Sequence, residues 1–263
     1  MIVYKTKWKN YIADLYIPEQ KTGRLVILLP GLPRSSSVEK IVQNFLKSGC
    51  IVLYPNFSGS FDSGGIFSGS QCVKDVADFI EWARQESITE LYFQKRIYLG
   101  RKNKIILAGM SFGAFPALYG HANNIDGLIL FSPAIVFNQN DINVITSSDF
   151  KGQMDSLISL LKRAFPHTYR IKSYGKMNNF LHGKEDYQSI EGVKQTIENI
   201  QIPTLVVHGK SDSSIPWVIS DALKKKVKNP LVTWVFPTVG HSTSSYTVNV
   251  LKLISKFILS IEK

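Results

Sequence analysis

The chain has 263 residues, 44% of them hydrophobic, and 31 Lys and Arg against 20 Asp and Glu give a formal net charge of +11. That length suits one large domain or a core with a modest insertion, and that apolar content excludes a disordered chain. No apolar run approaches the roughly 18 residues of a membrane span, and no zinc-finger or RNA-binding signature accompanies the charge, so the basic excess reads as a solvated surface and no nucleic acid is implied.

The opening, MIVYKTKWKNYIADLYIP, alternates apolar and polar residues. It reads as a pair of strands and lacks the apolar block of a signal peptide, so the cytoplasm is the expected location. RLVILLP (24–30) is a continuous apolar run ended by Pro-Gly, the pattern of a buried parallel strand. SSSVEKIVQNFLKSG follows, with Ser36 or Ser37 placed to cap a helix and Gly49 to end it. CIVLYPN (50–56) is a second buried strand, SGSFDSGGIFSGS (58–70) a glycine and serine loop, and CVKDVADFIEWARQ (72–85) a helix by its apolar spacing. Residues 87–103 lengthen the path to the next strand, KIILAG (104–109). FGAFPALYGH then starts a helix, with Pro116 in the first turn, where its missing N–H matters least. DGLILFSP (126–133) is a strand; TLVVHG, VISDALKKKV, LVTWVFP and YTVNVLKLISKFIL read as strand, helix, strand and helix. Cys50 and Cys72 have no metal-type spacing and imply no disulfide framework.

Strands alternating with helices predict an α/β fold, a mostly parallel sheet with helices on both faces. Residues 138–201 interrupt that rhythm and are too many for a structureless loop, so they predict a mainly helical insertion. The expected organisation is a core of residues 1–137 and 202–263 and a cap or lid over 138–201.

ILAGMSFGAFPAL (106–118) sets Ser111 between Gly109 and Gly113, after a strand and before a helix. Glycines there allow a sharp turn where side chains would clash. Asp212 in VVHGKSDSSIP and His241 in FPTVGHS each follow a later strand. A serine hydroxyl is a weak nucleophile until a base takes its proton; His241 is the candidate base, and Asp212 the group that orients it. Asp221 falls mid-helix and Asp186 in the insertion. His208 reads as structural and His121 as a capping or surface residue, while His167 and His182 lack metal-ligand spacing. No glycine-rich dinucleotide fingerprint is present.

On GMSFG, HGKSDSSIP and the GH of residues 240–241, the chain resembles the α/β-hydrolase family from about residue 24 onward, the insertion apart. The resemblance implies the α/β-hydrolase fold and a Ser111–Asp212–His241 triad. It also implies an oxyanion hole made by the backbone N–H groups of Leu32 and Phe112. Many members have His-Gly where this chain has Pro30-Gly31. Asn56, Ser58 and Ser60 depart from the family's Asp-x-Arg-Gly-x-Gly-x-Ser loop, which is assigned no catalytic role. The activity implied is a serine hydrolase that cleaves carboxylic esters through an acyl-enzyme. It needs no cofactor and no metal, takes a small-molecule ester as partner, and sets no oligomeric state. A peptidase or amidase of prolyl-oligopeptidase type, a thioesterase or acyltransferase, and a non-catalytic binding module of the same fold stay open as alternatives.

Within the insertion, KRAFPHTYRIKSYGKMNNFLHGK (162–184) carries Lys162, Arg163, Arg170, Lys172, Lys176 and Lys184 and no acidic residue. The plain expectation is a solvated surface. The sharper one is a cap that overhangs Ser111, with Phe165 and Phe180 on the pocket wall and a cationic rim that favours anionic substrates.

Overall fold

The computed structural model describes residues 2–34, 38–100, 102–121, 124–147 and 149–261. In chain order the strands are β1 (Ile2–Trp8), β2 (Tyr11–Ile17), β3 (Arg24–Leu29), β4 (Ile51–Pro55), β5 (Ser87–Thr89), β6 (Arg96–Tyr98), β7 (Lys104–Met110), β8 (Gly127–Phe131), β9 (Thr204–Val207) and β10 (Val232–Val235). Eight of them form one sheet in the order β1-β2-β4-β3-β7-β8-β9-β10. The β1–β2 hairpin that the alternating pattern predicts is there, and β2 runs antiparallel to β4; every pairing from β4 to β10 is parallel.

The continuous apolar run 25–29 of β3 is buried along its whole length because both faces of the sheet are covered. Successive side chains part to opposite faces. On one face, Leu25, Ile27 and Leu107 pack with Val76 and Phe79 of helix α2 (Gly69–Ala83) and Phe115 of α3 (Ala114–Gly120). On the other, Val26, Leu28 and Ala108 pack with Ile41 and Phe45 of α1 (Glu39–Lys47) and Ile254 and Ile258 of α9 (Val248–Ser260). A fully buried side chain the size of Phe115 contributes on the order of 2–3 kcal/mol. Gly49 ends α1 with a φ of 73°. Ser36 and Ser37, the expected caps of that helix, lie outside the described residues. The α2 helix begins earlier than its spacing predicts, at Gly69, because the Ser68 side chain accepts a hydrogen bond from the Gln71 N–H.

Between β8 and β9 the chain forms α4 (Gln139–Ile145), α5 (Phe150–Arg163), α6 (Tyr174–Leu181) and α7 (Ile190–Glu198). Asn138, Asp149, Ser173 and Ser189 cap them in turn. The last α/β unit adds α8 (Trp217–Lys226) between β9 and β10. The stretch read from sequence only as a long connection contains the β5–β6 hairpin; Ile88, Ile97 and Leu99 turn inward and fasten it to the core.

From β3 the chain crosses to β4 on one side, and later β7 pairs with β3 on the other. The loops after β3 and β7 therefore diverge at their carboxyl ends and leave a crevice, which is where open α/β sheets bind ligands. Ser111 stands in that crevice.

Candidate active site

Backbone sterics build the turn that holds Ser111. Strand β7 runs directly into it, its φ is 50°, and a helical turn begins at once. A left-handed non-glycine residue costs of order 1–3 kcal/mol and persists only where its surroundings impose it. A Cβ on Gly109 would stand 2.4 Å from the Gly113 carbonyl oxygen, and one on Gly113 2.5 Å from that of Pro30. Glycine at both positions is thus a steric condition for the turn. The Ala134 N–H donates to the Ser111 carbonyl at 3.1 Å.

The loop after β9 carries Asp212 and the loop after β10 carries His241. His241 Nδ1 lies 2.7 Å from Asp212 Oδ2, and the Ser214 and Ile215 N–H groups donate to Asp212 Oδ1 at 2.9 and 2.8 Å. The Asp212 side chain is fully buried, whereas that of His241 is 27% exposed. An ionised carboxylate only accepts hydrogen bonds, so Nδ1 carries the imidazole proton and Nε2 is left as the basic nitrogen. Burial by itself pushes the Asp212 carboxyl up, but His208 and His241 outweigh it and hold the group well below the usual carboxylate range.

His208, read from the sequence as structural, is buried four residues before Asp212, with its Nε2 3.3 Å from Asp212 Oδ2. The spacing within one short loop was the available signal for that contact. Ser132, also buried and with a φ of 43°, donates from its hydroxyl to the His241 carbonyl at 3.2 Å.

Ser111 and His241 line one cavity of about 870 Å³, together with Gly31, Leu32 and Phe112. A Cβ on Gly31 would lie 3.4 Å from the Ser111 Cβ, so the loop after β3 passes directly beside the serine. That loop is tied down three residues later, at Arg34. The Arg34 N–H donates to the Tyr169 hydroxyl at 2.7 Å, and its guanidinium lies 3.8 Å over the Tyr54 ring while bonding Asn56 and Asp14.

The rest of the wall is mostly apolar. Met110, Phe131 and Phe137 come from the core, and Met154, Leu157 and Leu181 from α5 and α6. Residues of α5 and α6 thus share the cavity with Ser111, but the two aromatic residues expected on its wall are not among those lining it. Phe180 is turned away, its ring packed on Phe112, Phe115 and Phe137 at centroid distances of 5.0–6.2 Å. Phe165 packs on Tyr169. Among the described residues no Lys or Arg lines the cavity, and Asp149 is the one Asp or Glu on its wall. Arg170 is spent on the carbonyls of Phe61, Ser63 and Gly65, and Lys162 stands over the Tyr174 ring. The cationic rim is therefore absent from the described wall. Met154 and Leu157 had no signal in the sequence beyond the amphipathic spacing of their helix.

The remaining histidines stand apart from the cavity, except that Leu181, next to His182, reaches its wall. His182 pairs with Asp155 at 2.9 Å. His121 stands at the C-terminal cap of α3, one of the two places expected of it, and is buried there; that burial lowers its pKa. Asn56 and Ser58 do structural work, the first on Arg34 and the second donating its N–H and hydroxyl to the buried Asp75 carboxylate.

Residues 7–141, just over half of the chain, match the family model of the X-Pro dipeptidyl-peptidases (S15 family). No curated protein matches by sequence. Among solved structures the chain is similar to the α/β hydrolase GrgF from Penicillium sp. sh18 (15% identity, 99% of each chain, TM-score 0.68). It is also similar to an esterase from Pyrococcus furiosus (17% identity, 98% of this chain and 91% of that one, TM-score 0.64). A third is a monoacylglycerol lipase from Paleococcus ferrophilus (17% identity, 100% of each chain, TM-score 0.61). At these identities the likeness establishes the α/β-hydrolase fold.

Proposed function

This chain belongs to the X-Pro dipeptidyl-peptidase (S15) family, and we propose that it is a serine hydrolase that cleaves carboxylic esters through an acyl-enzyme. One observation carries the reading. A left-handed serine on a strand-to-helix turn shares a cavity with a histidine whose Nδ1 is held 2.7 Å from a buried carboxylate.

The chemistry follows from those positions. His241 Nε2 takes the Ser111 proton as Oγ attacks the ester carbonyl. Asp212 holds the imidazole in the required tautomer and stabilises it once charged. The tetrahedral oxyanion is met by the N–H groups of Leu32 and Phe112, which flank the serine. The alcohol leaves with the proton from His241. Water, deprotonated by the same histidine, then releases the acid.

The apolar side chains of Met110, Phe137, Met154 and Leu157 on the wall support an uncharged acyl group as substrate. The esterase and the lipase among the similar structures agree with that choice. The family match and Asp149 on the wall favour a second reading, cleavage after an X-Pro dipeptide, whose free ammonium needs an anionic anchor. A panel of p-nitrophenyl esters of increasing acyl length, run beside X-Pro-p-nitroanilides, separates the two. Turnover of the anilides with no turnover of any ester would reject the ester reading. A fluorophosphonate should label Ser111, and labelling elsewhere would reject the mechanism itself.

A further inference from the structure

The β5–β6 hairpin is a built protrusion with an unusual surface. Tyr92 and Phe93 sit at its turn, 70% and 88% exposed, and Tyr98 on β6 is 60% exposed. This turn is rigidly held. The Glu90 carboxylate, itself buried, accepts the N–H groups of both Tyr92 and Phe93 at 2.8 and 2.7 Å, and the Leu91 N–H donates to Lys5 at 2.8 Å. Lys21 Nζ donates to the Tyr98 carbonyl at 2.5 Å. The two rings at the tip are presented to solvent by a fixed backbone.

Strand β6 alternates strictly. Ile97 turns into the core, while Arg96 and Tyr98 face out on one side, with the guanidinium 5.9 Å over the ring. Lys95 beside them is exposed and stands 6.0 Å over the Tyr4 ring. From Tyr92 to Lys104 the sequence contains no acidic residue. Exposed Tyr and Phe interleaved with Lys and Arg match a bilayer interface, where aromatic rings settle at headgroup depth and long cations reach the phosphates. A second copy of the chain is a poor occupant, because it brings the same basic face and a net charge of +11.

We propose that the β5–β6 hairpin, through Tyr92, Phe93, Lys95, Arg96 and Tyr98, docks the protein peripherally on an anionic lipid surface. Among the described residues no helix is long and apolar enough to cross a membrane. None of the five residues lines the Ser111 cavity, so docking is independent of the hydrolytic reading.

Cosedimentation tests this with vesicles of phosphatidylcholine alone and of phosphatidylcholine mixed with phosphatidylglycerol. The protein should partition onto the mixed vesicles about tenfold more strongly than onto the neutral ones, and high salt should weaken that binding. Tyr92→Ser/Phe93→Ser and Lys95→Glu/Arg96→Glu should each lose about tenfold of it while thermal unfolding stays in place. Equal partition onto both vesicle types, no partition, or unchanged binding in the two double variants overturns the proposal. A dimer in sedimentation velocity that Tyr92→Ser/Phe93→Ser dissolves also overturns it, since the patch then meets a second copy.

Discussion

His208 Nε2 stands 3.3 Å from the same Asp212 oxygen that receives the His241 hydrogen bond. It is also 3.0 Å from the Ile215 carbonyl, while Nδ1 lies 2.7 Å from the Ser220 hydroxyl. Both neighbours of Nε2 are acceptors, so that nitrogen carries the proton and Ser220 donates to the other. His208 thereby positions the carboxylate and helps keep it ionised. His208→Gln should make Asp212 more basic, tighten its hold on the His241 proton, and move the acid limb of kcat/KM to higher pH. It should also lower kcat about tenfold. A substitution that only loosened the core would leave that limb where it is. An unmoved pH profile with intact kcat would remove His208 from the site.

Asp212→Asn replaces an acceptor by a group that can donate, and the imidazole then turns over its tautomer. The expected loss is about 10⁴ in kcat with a far smaller change in KM. Stability carries a second signature. A carboxyl held below its unfolded value of about 3.9 stabilises the fold above that pH, and the contribution disappears as pH falls through the folded value. Acid unfolding below about pH 4 should therefore be less steep in Asp212→Asn than in the wild type. Identical acid titrations of stability would contradict the depressed pKa.

The cavity wall makes separate predictions for α5 and α6. Leu157→Trp narrows the space above Ser111 and should shift the preferred ester towards shorter acyl chains. Phe180→Ala should leave that preference alone and instead destabilise the protein by about 3 kcal/mol, since its ring packs on three other phenylalanines. The ester panel and a denaturant titration read the two effects. A changed chain-length preference in Phe180→Ala would return that ring to the pocket.

Burial lowers the His121 pKa. On acidification the unfolded chain binds a proton on this histidine before the folded protein does. Stability should therefore fall as pH drops below about 6.5, down to the lower folded value. In His121→Gln this part of the slope should vanish, whatever the variant's stability at neutral pH. An equal slope from pH 7 to 5 in both proteins would mean that the ring takes up its proton without cost.

Much of the fold was legible in the sequence because its signals are local. An apolar run such as 25–29 needs burial on both faces, and only a covered parallel strand provides it. Gly109 and Gly113 around Ser111 leave no room for a Cβ, so their spacing announces the turn before any contact is known. Asp212 and His241 could be picked out because each follows an apolar run that must be a strand, and strand ends converge at one edge of the sheet.

What depends on contacts between distant segments had no such signal. The β5–β6 hairpin is short and irregular, and it exists because Ile88, Ile97 and Leu99 find the core and Glu90 pairs along β1. Which inserted residues would face Ser111 was undetermined until the helices packed. Phe180 and Leu157 have similar apolar character, yet the ring finds Phe112, Phe115 and Phe137 and the leucine faces the cavity. Nor did composition tell where the basic residues of 162–184 would point; Arg170 bends back onto three carbonyls of the loop after β4. The sequence by itself determined which residues could do chemistry and on which sheet edge they stand. The tertiary structure alone decided what surrounds them, because side-chain direction within an amphipathic insertion is set by packing against partners far away in the chain.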